Sequence, residues 1–130
     1  MKIIIIAGDS HTGKSTTISK NFRDWLLRQN AKETEKTLED HIEYEGVFQY
    51  KGKTIALHSR GDVYRLIVFA IVKYTHLDVL VLAGNTSKKY IANLVEKIRA
   101  NENHCVISKK EATDKDNSDV CNEIIAELEG

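Results

Sequence analysis

The amino-acid sequence predicts a three-layer α/β/α domain with a mostly parallel five-stranded sheet and one antiparallel edge strand. Three observations lead there. Ile3-Ile4-Ile5-Ile6-Ala7 is an unbroken apolar run, the pattern of a strand buried on both faces. Short apolar runs then alternate with stretches of helical period almost to the end of the chain, as in successive βα units. One pair of strands is separated only by Lys51-Gly52-Lys53, a hairpin turn signal, which gives the antiparallel edge.

The elements follow in order. After the first strand comes a glycine-containing loop and a helix from about Lys14 to Gln29, with Ile18, Phe22, Trp25 and Leu26 on one stripe. Asn30 to Asp40 is polar and charged and reads as a mobile connection. Ile42 to Tyr50 and Thr54 to His58 are the hairpin strands. A largely apolar helix runs from about Val63 to Tyr74, and Asp78 to Ala83 is a second buried strand. Thr86 or Ser87 is placed to cap the next helix, whose stripe is Tyr90, Ile91, Leu94, Val95 and Ile98. His104 to Ser108 is a short strand and Lys109 to Asn117 a charged loop. The last helix puts Val120, Cys121, Ile124, Ile125 and Leu128 on one face.

The 130 residues suffice for one domain with its own core, and residues 1–130 read as a single unit. Lys plus Arg and Asp plus Glu number 19 each, so the net charge is zero, which argues against a nucleic-acid partner. Cys105 and Cys121 lack metal-ligand spacing and read as reduced core thiols of a cytoplasmic protein. No apolar run is long enough for a membrane span, so no membrane partner is expected.

One motif carries chemistry. Gly8-Asp9-Ser10-His11-Thr12-Gly13-Lys14-Ser15 matches G-x-x-x-x-G-K-[ST] and lies between a buried strand and a helix. Gly8 and Gly13 allow the main chain to approach an anion closely. Successive backbone N–H groups make a concavity for phosphate oxygens, reinforced by the start of the helix. Lys14 is placed for the β- and γ-phosphates, the Ser15 hydroxyl for Mg²⁺, and Thr16 for the α-phosphate. The motif residues from Gly8 to Thr16 thus form the expected nucleotide site.

This strand, loop and helix resemble the opening unit of the P-loop NTPase superfamily. The resemblance implies ATP or GTP, with ATP favoured, together with Mg²⁺. The layout of the rest of the chain is similar to the branch of small GTPases and nucleotide kinases. In the GTPases the second hairpin strand lies beside the P-loop strand and ends in Asp-x-x-Gly. Here the corresponding residues are His58-Ser59-Arg60-Gly61, and Asp62 is the nearest carboxylate. Asp62 is a candidate for the metal and for catalysis, or alternatively an N-cap for the following helix. Arg60 is the first choice for a cation on the transferring phosphoryl group, ahead of Arg65, Lys88 and Lys89. Ser108-Lys109-Lys110-Glu111 stands where GTPases carry Asn-Lys-x-Asp for guanine, with both key polar residues changed. Thr34 and Thr37 are weaker candidates for sensing a γ-phosphate.

Two functions follow as expectations. One is a small Mg²⁺-dependent NTPase or phosphotransferase. The other is a nucleotide-responsive binding module with little catalysis. A third reading is a domain that binds no nucleotide. A homodimer through the sheet edge at Tyr44 to Tyr50 is also open.

Overall fold

Four consecutive isoleucines decide the architecture. In an extended strand, successive side chains point to opposite faces. Ile4 and Ile6 therefore enter one apolar cluster and Ile3 and Ile5 another. The structure, a computed structural model, describes residues 1–41 and 43–130.

It is a mixed α/β domain with a six-stranded sheet in the order β2-β3-β4-β5-β1-β6. The strands are β1 (Lys2–Gly8), β2 (Lys32–Asp40), β3 (Glu43–Tyr50), β4 (Lys53–His58), β5 (Val79–Asn85) and β6 (Cys105–Ser108). β1 pairs in parallel with β5 and β6, and β4 in parallel with β5. β3 runs antiparallel to both β2 and β4. Helix α1 covers residues 14–28, with a π-helical stretch at Thr17–Phe22 between two α-helical ends. Helices α2 (Tyr64–Lys73), α3 (Lys89–Arg99) and α4 (Asp114–Glu129) follow.

The helices sort by cluster. Ile18, Phe22 and Leu26 of α1 and Val120, Ile124 and Leu128 of α4 join Ile4 and Ile6. Ile67 and Ala70 of α2 and Ile91, Val95 and Ile98 of α3 join Ile3 and Ile5. The hairpin turn has Lys51 at φ 49° and Gly52 at φ 78°. Positive φ at both central residues matches the right-handed twist of the flanking strands.

Several expectations change. The sheet has six strands rather than five. Residues 32–40, expected as a mobile connection, form β2. That strand has few apolar side chains, so nothing in its hydrophobic pattern announces it. It is held by the ladder to β3 and by Arg23 of α1, which pairs with Glu33 at 3.1 Å and also with Glu39. The Arg23 guanidinium lies 4.2 Å from the centroid of the Tyr44 ring. β2 rather than β3 is the sheet edge, so the Tyr44 to Tyr50 segment is covered and offers no edge for a second copy. Ile42, expected to begin β3, lies outside the described residues. β4 does not lie beside β1, because β5 stands between them. Neither Thr86 nor Ser87 caps α3, whose cap position is Lys88 with no side-chain bond. Helix α4 begins at Asp114, inside the expected loop, because the Thr113 hydroxyl accepts from the Asp116 N–H at 3.1 Å. Both cysteines are free, and burial pushes the Cys121 thiol up to about 11.

β3, β4 and α2 share a polar network inside the second cluster. The Glu45 carboxylate accepts from Lys73 Nζ at 3.1 Å and from the Tyr74 hydroxyl, and lies 3.8 Å from His58 Nε2. Burial pushes His58 below the usual imidazole value; Arg60 adds to this, and Glu45 and Glu43 offset only part of it. Burial raises the Glu45 carboxyl, but the bonds from Tyr74 and Lys73 and the nearby His58 and Lys73 charges hold it below the usual range.

Two outcomes are expected. Arg23→Ala should speed hydrogen exchange of the β2 amides while leaving β1 and β5 protected; unchanged β2 exchange would show that pairing to β3 alone holds the strand. Acidification below the ordinary imidazole value of 6.5 protonates His58 in the unfolded chain before the folded one. Stability should therefore be level above that pH and fall below it, with a further loss as Glu45 protonates in more acidic solution. A His58→Gln variant should show a shallower fall in thermal melting between roughly pH 6.5 and 5, and an unchanged slope would remove His58 from the account.

Candidate functional site

The loop from Asp9 to Gly13 leaves the carboxyl end of β1 and enters α1. Gly13 has φ 83° and His11 φ 62°, so the chain doubles back through left-handed conformations. Gly8 packs so tightly against the exit of β6 that a β-carbon there would lie 2.2 Å from the Lys109 carbonyl oxygen. A β-carbon on Gly13 would lie 2.8 Å from Asn117 Oδ1. The neighbouring strand ends hold the loop base: the Thr86 N–H donates to the Gly8 carbonyl at 3.0 Å and the Lys109 N–H to the Ala7 carbonyl at 2.8 Å.

None of the backbone N–H groups from Asp9 to Thr16 donates to an acceptor among the described residues. Lys14 is buried, and its ammonium crosses the loop to donate to the Asp9 carbonyl at 2.5 Å and to Thr12 Oγ1 at 3.2 Å. Burial pushes its pKa down, and the Asp62 and Asp9 carboxylates counter that in part. The Ser15 hydroxyl donates to the Ser59 carbonyl at 2.9 Å. A cavity of about 250 Å³ opens here, walled by residues 11–16 together with Glu43, Gly61, Asp62 and Ala83.

The structure brings most of the expected residues together. His11, Thr12, Gly13, Lys14, Ser15, Thr16 and Asp62 all line that cavity. Asp62 does not cap α2, whose cap position is Val63. Its carboxylate instead accepts from Asn85 Nδ2 at 2.9 Å. The same Asn85 amide donates to Ser10 Oγ at 2.9 Å, and its oxygen accepts from the Ser87 N–H and hydroxyl. Asp9 faces the other way: its carboxylate accepts from Thr86 Oγ1 at 3.3 Å beside a second cavity of about 340 Å³.

Others stand apart. Arg60 is exposed and outside the cavity wall, and Arg65, Lys88 and Lys89 are exposed as well. His58 faces Glu45 rather than the loop. Thr34 and Thr37 lie on β2. Glu111 is exposed, and the buried Lys109 ammonium pairs with Asp116 at 2.8 Å. Among the described residues, no group of three or more His, Cys, Asp or Glu side chains could hold a metal ion, and no helix is long and apolar enough to cross a membrane.

Sequence reasoning missed Glu43 and Asn85. Glu43 sits on the cavity wall opposite the loop and accepts from Ser59 Oγ at 3.4 Å. Ser59 therefore joins this acid to Ser15. Nothing in the sequence pattern of β3 marks Glu43 as different from Glu45. Asn85 could have been noticed as a polar residue closing an otherwise apolar strand, buried to 1% exposure.

Fold and site together define a mixed α/β domain whose first βα connection is an amide-rich loop closed by a buried lysine. No family model, curated protein or solved structure matches the chain.

The packing at Gly8 sets an expected outcome. Gly8→Ala should destabilise the protein more than Gly52→Ala, where a side chain meets open space and the cost is only that of a β-carbon at φ 78°. Equal denaturation midpoints for the two variants would mean that the β1–β6 approach is not tight.

Proposed function

We propose that this chain is a P-loop nucleotide-binding protein of three-layer α/β/α form that takes a nucleoside triphosphate, ATP in preference to GTP, with Mg²⁺. The observation that carries this reading is the set of undonated N–H groups between Asp9 and Thr16, gathered at the start of α1 around the buried Lys14 ammonium. Such a nest satisfies phosphate oxygens that a neutral or cationic ligand could not use. Lys14 now bonds a carbonyl and a hydroxyl, both weaker partners for an ammonium than a phosphate oxygen.

The residues present also fit Mg²⁺. The ion prefers one or two protein oxygens with water and phosphate completing its shell. Ser15 Oγ and the Asp62 carboxylate share the cavity and would supply those oxygens. Bound there, Mg²⁺ would neutralise charge on the phosphate chain. The loop amides and Lys14 would orient the phosphates, Asn85 would hold Asp62 and Ser10 in place, and Glu43, which accepts from Ser59, would be the carboxylate to take a proton from an attacking water or hydroxyl. ATP is preferred because Glu111, the only counterpart of the guanine-selecting acid, is exposed, while Asp116 is occupied by Lys109.

A second reading, a nucleotide-responsive binding module with little turnover, is favoured by one observation. No arginine stands on the cavity wall, so in this conformation Arg60 supplies no charge to a transferring phosphoryl group.

Calorimetric titration with ATP and GTP, with and without Mg²⁺, tests the shared part of both readings. ATP should bind in a Mg²⁺-dependent manner, and Lys14→Ala should weaken binding at least about tenfold, or roughly 1.4 kcal/mol. Asp62→Asn should chiefly reduce the Mg²⁺ dependence. A Lys14→Ala protein that binds as well as the parent would end the proposal. Phosphate release at saturating ATP then separates the enzyme from the binding module.

A further inference from the structure

The ladder between β3 and β4 ends in an exchange of partners. In an antiparallel pair, every second set of opposed residues trades both of its N–H to carbonyl bonds. The last residues in register are Glu45 and His58, so the next outward are Tyr44 and Ser59. Half of their trade is regular: the Ser59 N–H donates to the Tyr44 carbonyl at 3.0 Å. The other half is not. The Tyr44 N–H donates to Ser59 Oγ at 2.8 Å, so a side-chain hydroxyl stands in for the carbonyl of its own residue. The carbonyl released in this way accepts from the Ser15 hydroxyl at 2.9 Å.

We propose that Ser59 fits this site to Mg²⁺ rather than Ca²⁺, because its hydroxyl frees its carbonyl to hold Ser15 Oγ. The inference rests on the nucleotide and Mg²⁺ reading above. A hydroxyl that ligates a metal offers a lone pair and sends its proton elsewhere. Ser15 is arranged for that. Its proton goes to an oxygen that can only accept, and Ser15 Oγ itself accepts from no donor among the described residues.

The holding is stiff. Ser59 is 0% exposed, and its Oγ also donates to Glu43 at 3.4 Å. Its partner Tyr44 is buried too, with Arg23 over its ring and its hydroxyl on Glu33. Two residues beyond Ser59, the Gly61 carbonyl takes the Asn85 N–H at 2.8 Å. The segment from Ser59 to Gly61 is thus tied to β3 at one end and to β5 at the other. Asp62, the second oxygen source, is fixed by the Asn85 amide. Oxygens held in this way suit an ion that demands near-octahedral geometry at about 2.0–2.1 Å. Ca²⁺ takes about six to eight oxygens at about 2.3–2.6 Å in an adaptable shell, and gains little from the restraint. Without the Ser59 hydroxyl, the buried Tyr44 N–H is left to the Ser59 carbonyl, the partner that a regular ladder assigns it. The ladder then closes and Ser15 loses its anchor.

Calorimetric titration of ATP into the full chain, with Mg²⁺ or Ca²⁺ in excess, reads the ratio of the two affinities. The parent should favour Mg²⁺. Ser59→Ala should lower that ratio about tenfold, the lower end of what removing the support of a metal ligand costs. A general loosening of the fold weakens binding with both ions alike and leaves the ratio where it was. Ser59→Cys, of similar size but with a weakly bonding thiol, reads the same contact should Ser59→Ala fail to fold by circular dichroism. A parent with no preference between the ions overturns the inference, as does a folded variant that keeps the parent's ratio; in both cases the nucleotide reading stands. A parent that binds ATP with neither ion removes that reading, and the inference with it.

Discussion

The end of β1 is pinned from both sides, and the geometry of the loop follows from that. On one side the Thr86 N–H takes the Gly8 carbonyl; on the other the Lys109 N–H takes the Ala7 carbonyl. Lys109 comes so near that position 8 has no room for a side chain. A chain held this firmly at its exit can turn only through the residues that follow. It does so with left-handed conformations at His11 and Gly13, which leave the intervening N–H groups without helical or sheet partners. Eight unpaired donors would be costly in a buried segment. Here the loop borders a cavity at the carboxyl end of the parallel strands, the edge where open α/β sheets receive ligands.

That sheet edge also explains why β5 matters more than its sequence indicates. β5 lies between β4 and β1, so its terminal residue reaches the residues that follow both strands. Asn85 bonds Ser10 after β1 and Asp62 after β4 with one amide nitrogen, and fixes Ser87 with its oxygen. A shorter or apolar side chain there would leave Asp62 and Ser10 without a common anchor. The position of Asp62 on the cavity wall is therefore a property of three strand ends, not of the loop that contains it.

Legibility followed the source of each element's stability. β1, β5 and α1 could be read because burial dictates their composition: Ile3 to Ile6, Val79 to Ala83 and the stripe of Ile18, Phe22 and Leu26. The loop was legible because its glycines and lysine answer to local geometry. β2 was not, since Lys32 to Asp40 gains its order from ladder bonds to β3 and from Arg23, which is distant in sequence from Glu33 and Glu39. Strand order was not, because a parallel crossover can place β5 on either side of β1 without altering any local pattern. Glu43 was hidden for the same reason. Only the fold of β3 against β4, with Ser59 between, sets it across from Ser15.

The buried lysine links stability to binding. Desolvation works against the Lys14 charge, and the loop answers with the Asp9 carbonyl, the Thr12 hydroxyl and the more distant Asp62 carboxylate. A buried ammonium satisfied by neutral acceptors gives up less hydration energy than it regains only when an anion arrives. The fold therefore holds this side chain in an environment that penalises its charge, and any anion entering the cavity relieves the penalty. By linkage, whatever binds there stabilises the folded chain and raises the affinity of Lys14 for its proton. The same reasoning gives Asp62 two opposed tasks. It offsets the Lys14 charge while the cavity holds only protein groups, and its negative charge would repel a bare phosphate chain. Under the proposed function, a divalent cation would resolve that conflict by giving Asp62 a partner as Lys14 acquired another.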